Sequence, residues 1–132
     1  MQSQPGVLIY SLFTDWHRQY ETFELFGWSW NVGQSREIIM SGNRNPIAID
    51  VTNFKCFVRM MELKEEKIHK ADLAVPLIVV PVHHYHLPID GWHRIASALS
   101  EGRQHLPGVL LTVQEASTIF SPVTTSPYPR KQ

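Results

Sequence analysis

Residues 87–94 read Leu87-Pro88-Ile89-Asp90-Gly91-Trp92-His93-Arg94, a corner where one kind of structure gives way to another. The run before it, Val75 to Leu87, is β-branched, aromatic and broken by proline, so it reads as strands. After it, Trp92, Ile95, Ala96 and Leu99 recur at i, i+3, i+4 and i+7, one apolar face of a helix. Asp90-Gly91 is then the turn, and His93 and Arg94 fall in the first helical turn. The free N–H groups of that turn already carry about half a positive charge. Cations placed there cost a few tenths of a kcal/mol each, roughly, unless an anion sits among them. A strand–glycine–helix corner with added cations is the pattern of a phosphate site. The plainer reading gives His93 and Arg94 surface hydrogen bonds, or an ion pair with Asp90 or Glu101.

The chain around this corner is 132 residues long, enough for one domain with an ordinary core. Hydrophobic residues make up 43% and charged residues 18%, as in a globular protein. Lys+Arg and Asp+Glu both number 12, so no global basic field recruits nucleic acid, and DNA contact would need a local patch. The single cysteine, Cys56, excludes an intrachain disulfide and a cysteine zinc cage. No apolar run approaches the roughly 20 residues of a membrane span. With no secretory signal evident, the expected location is a bacterial cytoplasm, without membrane insertion.

Working outward, Val7–Phe13 is a short strand candidate, and Glu21–Trp30 alternates in part, with Gly27 read as a bulge. Arg36–Met40 and Pro46–Val51 read as two more strands around the turn-rich Ser-Gly-Asn-Arg-Asn. Thr52 or Asn53 can cap a helix whose stripe is Phe54, Phe57, Val58, Met61 and Ile68, with Glu62, Lys64, Glu65, Glu66 and Lys67 mostly on its solvated face. Strands follow at Pro76–Val82 and Tyr85–Asp90. The Trp92–Glu101 helix comes next, stopped by Gly102 where a left-handed residue is wanted. A strand at Leu106–Val113 and a short helix at Gln114–Phe120 lead to a Pro-rich stretch, 121–132, expected to be a flexible tail. The fold class is α+β: a mixed β-sheet with flanking helices, preceded by an aromatic-rich β extension, in a single domain over 1–120.

Pro46-Ile47-Ala48-Ile49-Asp50 before a helix, Pro76-Leu77-Ile78-Val79-Val80, Ile89 through Ala98, and Leu106-Pro107-Gly108-Val109-Leu110-Leu111 together resemble the ParB/sulfiredoxin superfamily. The likeness covers 46–113, with residues 1–40 as an extension. In that superfamily the Gly-x-His-Arg corner holds nucleotide phosphates, ATP in sulfiredoxins and CTP in ParB proteins. The resemblance therefore implies Gly91 as the close-approach glycine and His93 and Arg94 as the phosphate pair. Trp92 stands where sulfiredoxins carry their catalytic cysteine, which excludes sulfinic acid reduction. The helix after Asp50 would offer Lys, Ser and Thr to a nucleotide; here Asn53, Cys56 and Met60 stand there, with Lys55 nearby. No room follows residue 113 for a ParB DNA-reading domain, so partitioning is not expected. Small stand-alone members include plasmid fertility-inhibition factors, which block conjugal or type IV secretion transfer of DNA and are described as ATPases and DNases.

Two functional expectations follow. The first is a nucleotide- or DNA-phosphate-binding protein, leaning towards an ATP hydrolase or DNase that inhibits plasmid fertility. Its catalytic residues would be His93, Arg94 and Asp90, its phosphate ligands Gly91, His93, Arg94 and Lys55, and its cofactor ATP or CTP with Mg²⁺. Asp90, His84 and His86 form a candidate metal set, because imidazoles at i and i+2 of a strand share a face. The plain alternatives are that Asp90 only shapes an Asp-Gly turn and that His83 to His86 are structural. The second expectation is a non-catalytic interaction module on the same fold. Aromatic residues from Trp16, Phe23, Phe26, Trp28 and Trp30 would then anchor a secretion-system or DNA-transfer partner.

Overall fold

A computed structural model describes residues 21–122 and 126–128 of the chain. The candidate strand Val7–Phe13, Trp16, and Arg130 and Lys131 lie outside these. The first elements are β1 (Thr22–Leu25) and β2 (Trp28–Asn31), an antiparallel hairpin pairing Leu25 with Trp28. Its two-residue turn, Phe26-Gly27, has φ of 51° and 83°. Positive φ at both positions is the twist a two-residue hairpin wants. Gly27 is thus a turn residue and not a bulge.

Asn31 ends β2 and starts α1 (Val32–Met40), its side chain accepting from the Gln34 N–H at 2.9 Å. The expected strand over Arg36–Met40 is corrected to helix. Val32 and Ser35 are buried and Ile38 and Ile39 half-buried, a helical spacing that only shows once Asn31 is seen as the cap. After a turn, β3 (Ile47–Asp50) matches its expected strand.

The single helix expected after it is broken into three. Asp50 caps a 3-10 turn (Val51–Phe54), accepting from the Thr52 N–H at 3.0 Å. Then come α2 (Lys55–Met60) and α3 (Glu65–His69), separated by an extended Met61. Met61 and Leu63 are half-buried while Glu62 and Lys64 are exposed. That period of two calls for extended chain, which lets both apolar side chains turn inward. The expected stripe nevertheless faces inward as read, and Glu62 to Lys67 lies outside apart from half-buried Leu63.

From β4 (Leu77–Val82) onward expectation and structure run together. The strand β5 (Tyr85–Asp90) and the helix α4 (Trp92–Ser100) fall where expected, and the strand β6 (His105–Leu110) ends three residues short of the expected Leu106–Val113. Gly102 is left-handed at φ 74°. The last helix, α5 (Val113–Thr118), starts earlier than read, because Thr112 and Glu115 form a reciprocal capping box. Within the expected tail, β7 (Phe120–Pro122) pairs with β2, and Tyr128 is buried, its hydroxyl accepting from Trp30 Nε1 at 3.0 Å.

Among the described residues two sheets form, a three-stranded one in the order β1-β2-β7 and a four-stranded one in the order β3-β6-β4-β5, with β4 and β6 parallel. The core lies between them and the helices, around Ile49, Val51, Leu77, Val79, Ile95 and Leu106. Gly108 of β6 leaves room for the side chain of Ile49 on the neighbouring strand β3, since a Cβ there would meet Ile49 Cγ1 at 2.6 Å. The fold is α+β. No helix among the described residues is long and apolar enough to cross a membrane.

Candidate functional site

The corner is built as a strand–glycine–helix junction. Gly91 caps α4 with φ 100°, and an added Cβ would lie 2.4 Å from Leu77 Cδ2 and 2.7 Å from Arg94 Nη2. Both the backbone and the space demand glycine. Trp92 points inward, donating from Nε1 to the Pro88 carbonyl at 3.0 Å. Phe23 of β1 stacks on it at 5.8 Å, and Phe54 and Phe57 flank it at 5.7 and 6.4 Å. The N-terminal hairpin and the segment after β3 are thereby clamped to the start of α4.

His93 and Arg94 are neighbours in a helix, so their side chains leave about 100° apart. His93 turns towards α3, where its Nε2 accepts from the Lys64 N–H at 3.2 Å. Burial, with the nearby charges of Lys67 and Lys64, lowers its pKa below the ordinary histidine range. It is a neutral acceptor and not a second cation. Arg94 turns the other way, donating from Nη2 to the Pro76 carbonyl at 3.3 Å and standing 3.7 Å from Asp90. Its buried Nε has no hydrogen-bond partner. Arg36 of α1 reaches the other oxygen of Asp90 at 3.3 Å and Glu21 at 2.7 Å. Asp90 therefore sits between two guanidinium groups, under a cleft of about 410 Å³ shared with Ile39, Met40 and Val75.

The other expected ligands are not gathered here. Lys55 is exposed at the start of α2 and lines neither of the two cavities described. His83 and His84 form the turn of the β4–β5 hairpin, so His84 and His86 do not share a strand face as expected. Asp90 closes the same strand four residues beyond His86, about 13 Å away along its axis. Asp90, His84 and His86 thus make no common ligand set. Among the described residues no group of three or more His, Cys, Asp or Glu side chains is placed to hold a metal ion.

A larger cavity lies elsewhere. A groove of about 780 Å³ runs between the tips of the two hairpins and the segment from Ala48 to Phe57. That volume falls within the range of small-molecule and cofactor sites. Phe26, Trp28, Phe54, Phe57 and Tyr85 line it, together with His83, His84 and His86 from the β4–β5 hairpin and Asp50 and Asn53 from the segment after β3. Phe26 is 77% and Tyr85 75% exposed, a high fraction for such large side chains. The aromatic set of the N-terminal region is split: Trp30 is fully buried, Phe23 and Trp28 are half-buried, and Phe26 faces out. Both hairpin tips hold a non-glycine residue at positive φ, Phe26 at 51° and His83 at 55°. Left-handed backbone is costly at such residues and tends to persist where a site needs it. The tips also meet, the Trp28 and His83 rings lying 6.5 Å apart.

Asp50 is the charged residue of the groove that sequence reading passed over. Thr52 donates to its Oδ1 from both hydroxyl and backbone, and these bonds hold its pKa below the usual carboxylate range. Its Oδ2 receives only a long bond, 3.4 Å, from Gln104. The Asp-Val-Thr spacing, an acceptor two residues before a free N–H, was the available signal. Compared with known protein families, curated proteins and solved structures, the chain matches none.

Proposed function

We propose that the chain is a binding module with a ParB/sulfiredoxin-like core, whose working surface is the aromatic groove and which acts by occupying a partner. The groove itself carries this reading: about 780 Å³, with two large aromatic side chains held in solvent at its mouth. Exposed aromatics grouped around a concavity are the usual anchors of interaction sites. The corner offers weaker support for turnover. Asp90 is held by Arg36 and Arg94, and His93 is engaged by the Lys64 N–H, so each candidate acid or base already has a structural partner.

In the setting implied by the resemblance, the module interferes with plasmid transfer inside a bacterial cell by docking on a secretion or DNA-transfer component. Expression in a conjugation donor tests this. The wild-type chain lowers transfer frequency, and Tyr85→Ala restores it while the protein stays folded. Full inhibition by a stably folded Tyr85→Ala protein contradicts the reading.

A second reading, nucleotide binding at the corner, rests on one specific observation. Gly91 opens the backbone at the start of α4, and beside it Arg94 Nε is buried without a partner. ATP or CTP with Mg²⁺ would place its phosphates there, with Gly91 and Arg94 as the contacts.

A further inference from the structure

We infer that the groove takes a cationic group, an arginine side chain presented by a partner polypeptide among apolar residues. This rests on the groove being the binding surface and goes on to name what enters it. Among the described residues that line it, Asp50 is the one formally charged residue beside the three histidines, and no lysine or arginine is present. Its carboxylate stays ionised because Thr52 donates to it twice, and Oδ2 keeps acceptor capacity. Five aromatic rings line the rest of the surface: Phe26, Trp28, Phe54, Phe57 and Tyr85. Ring faces attract cations, and a guanidinium, planar and weakly hydrated, stacks on them at lower desolvation cost than an ammonium. A phosphate would meet a carboxylate among aromatic rings, with His83, His84 and His86 as the available donors and no lysine or arginine. The charge of the groove therefore selects against the anions that the corner once suggested. An arginine flanked by apolar residues matches this lining, its guanidinium towards Asp50 and its neighbours along apolar residues such as Leu25, Val82 and Leu87.

The test uses the full chain, its amide resonances followed while three small probes sharing a phenethyl group are added: phenethylguanidinium, its neutral isostere phenethylurea, and phenethyl phosphate. Phenethylguanidinium is expected to shift amides around Asp50, Phe54 and Tyr85, and to bind about tenfold more tightly than the urea, the size of a modest charge pair plus a ring contact. Asp50→Asn, which keeps an acceptor for Thr52, brings the guanidinium down to the urea's affinity. Tyr85→Ala, at an exposed position, weakens it without loss of fold. Equal binding of guanidinium and urea, or tighter binding of the phosphate in the groove, overturns the inference but leaves the groove as the binding surface. No shift at these residues with any probe overturns both.

Discussion

The corner at Gly91 and the groove between the hairpin tips hold the two most distinctive sets of side chains in this chain, and the fold spends them in opposite ways. At the corner, polar groups are turned inward and, Arg94 Nε apart, committed: Arg94 Nη2 to Pro76 and Asp90, Asp90 to Arg36, His93 to Lys64. At the groove, apolar groups are turned outward, with Phe26 and Tyr85 about three-quarters exposed. A polar cluster satisfied from within stabilises the fold, whereas an apolar cluster left in water costs stability until a partner covers it. Residue type alone suggests the reverse assignment, since cations look like a site and aromatics look like a core. What decides is which groups are already engaged.

If that contrast holds, corner substitutions act on stability and groove substitutions on binding. The largest expected effect is at Trp92, packed by Phe23, Phe54 and Phe57. Trp92→Ala should cost about 4 kcal/mol, read as a lowered urea midpoint. Gly91→Ala comes next at about 3 kcal/mol, from left-handed backbone and the contact with Leu77. Losses below 1 kcal/mol at both positions would break the comparison.

A smaller effect concerns Glu115, which the bidentate Arg44 guanidinium holds at a pKa of about 2, down from 4.5. A carboxylate lowered on folding contributes stability that is fully present above pH 4.5 and lost as pH falls through about 2. Acid titration of stability should therefore slope downward in that window, and Arg44→Met should flatten the slope. The smallest effect is at Tyr85, where Ala should change stability by less than about 0.5 kcal/mol while removing partner binding. A large loss of stability there would make Tyr85 a packing residue.

Much of this was legible in the chain from Leu77 to Ser117, where strands are bounded by proline and glycine and α4 carries a clean 3.6-residue stripe. The left-handed Gly102 followed from its place after that stripe. Residues 28–70 were harder. Trp28 to Met40 changes from strand to helix at Asn31, and the short apolar runs on either side of Gly33 to Glu37 are too brief to show a period, so the cap marks the boundary. Likewise Met61-Glu62-Leu63-Lys64 slips an extended step into a helical pattern. The corner was placed correctly along the chain, but which way His93 and Arg94 turn depends on Lys64, Pro76 and Arg36, up to 58 residues away, and no local spacing reports that. The groove was unreadable for the same reason, since Trp28, Asp50 and Tyr85 come from three separate elements.

The most direct measurement is the thermal midpoint of the full chain with and without Mg²⁺-ATP and Mg²⁺-CTP. The account predicts no change with either nucleotide, because Asp90, His93 and Arg94 Nη2 are already engaged within the fold, which leaves the buried Arg94 Nε unpartnered. A nucleotide that binds there at 100 times its dissociation constant would add about 2.7 kcal/mol, a shift of several degrees. Such a shift, lost in Arg94→Ala, would contradict the account and return the phosphate site to the corner.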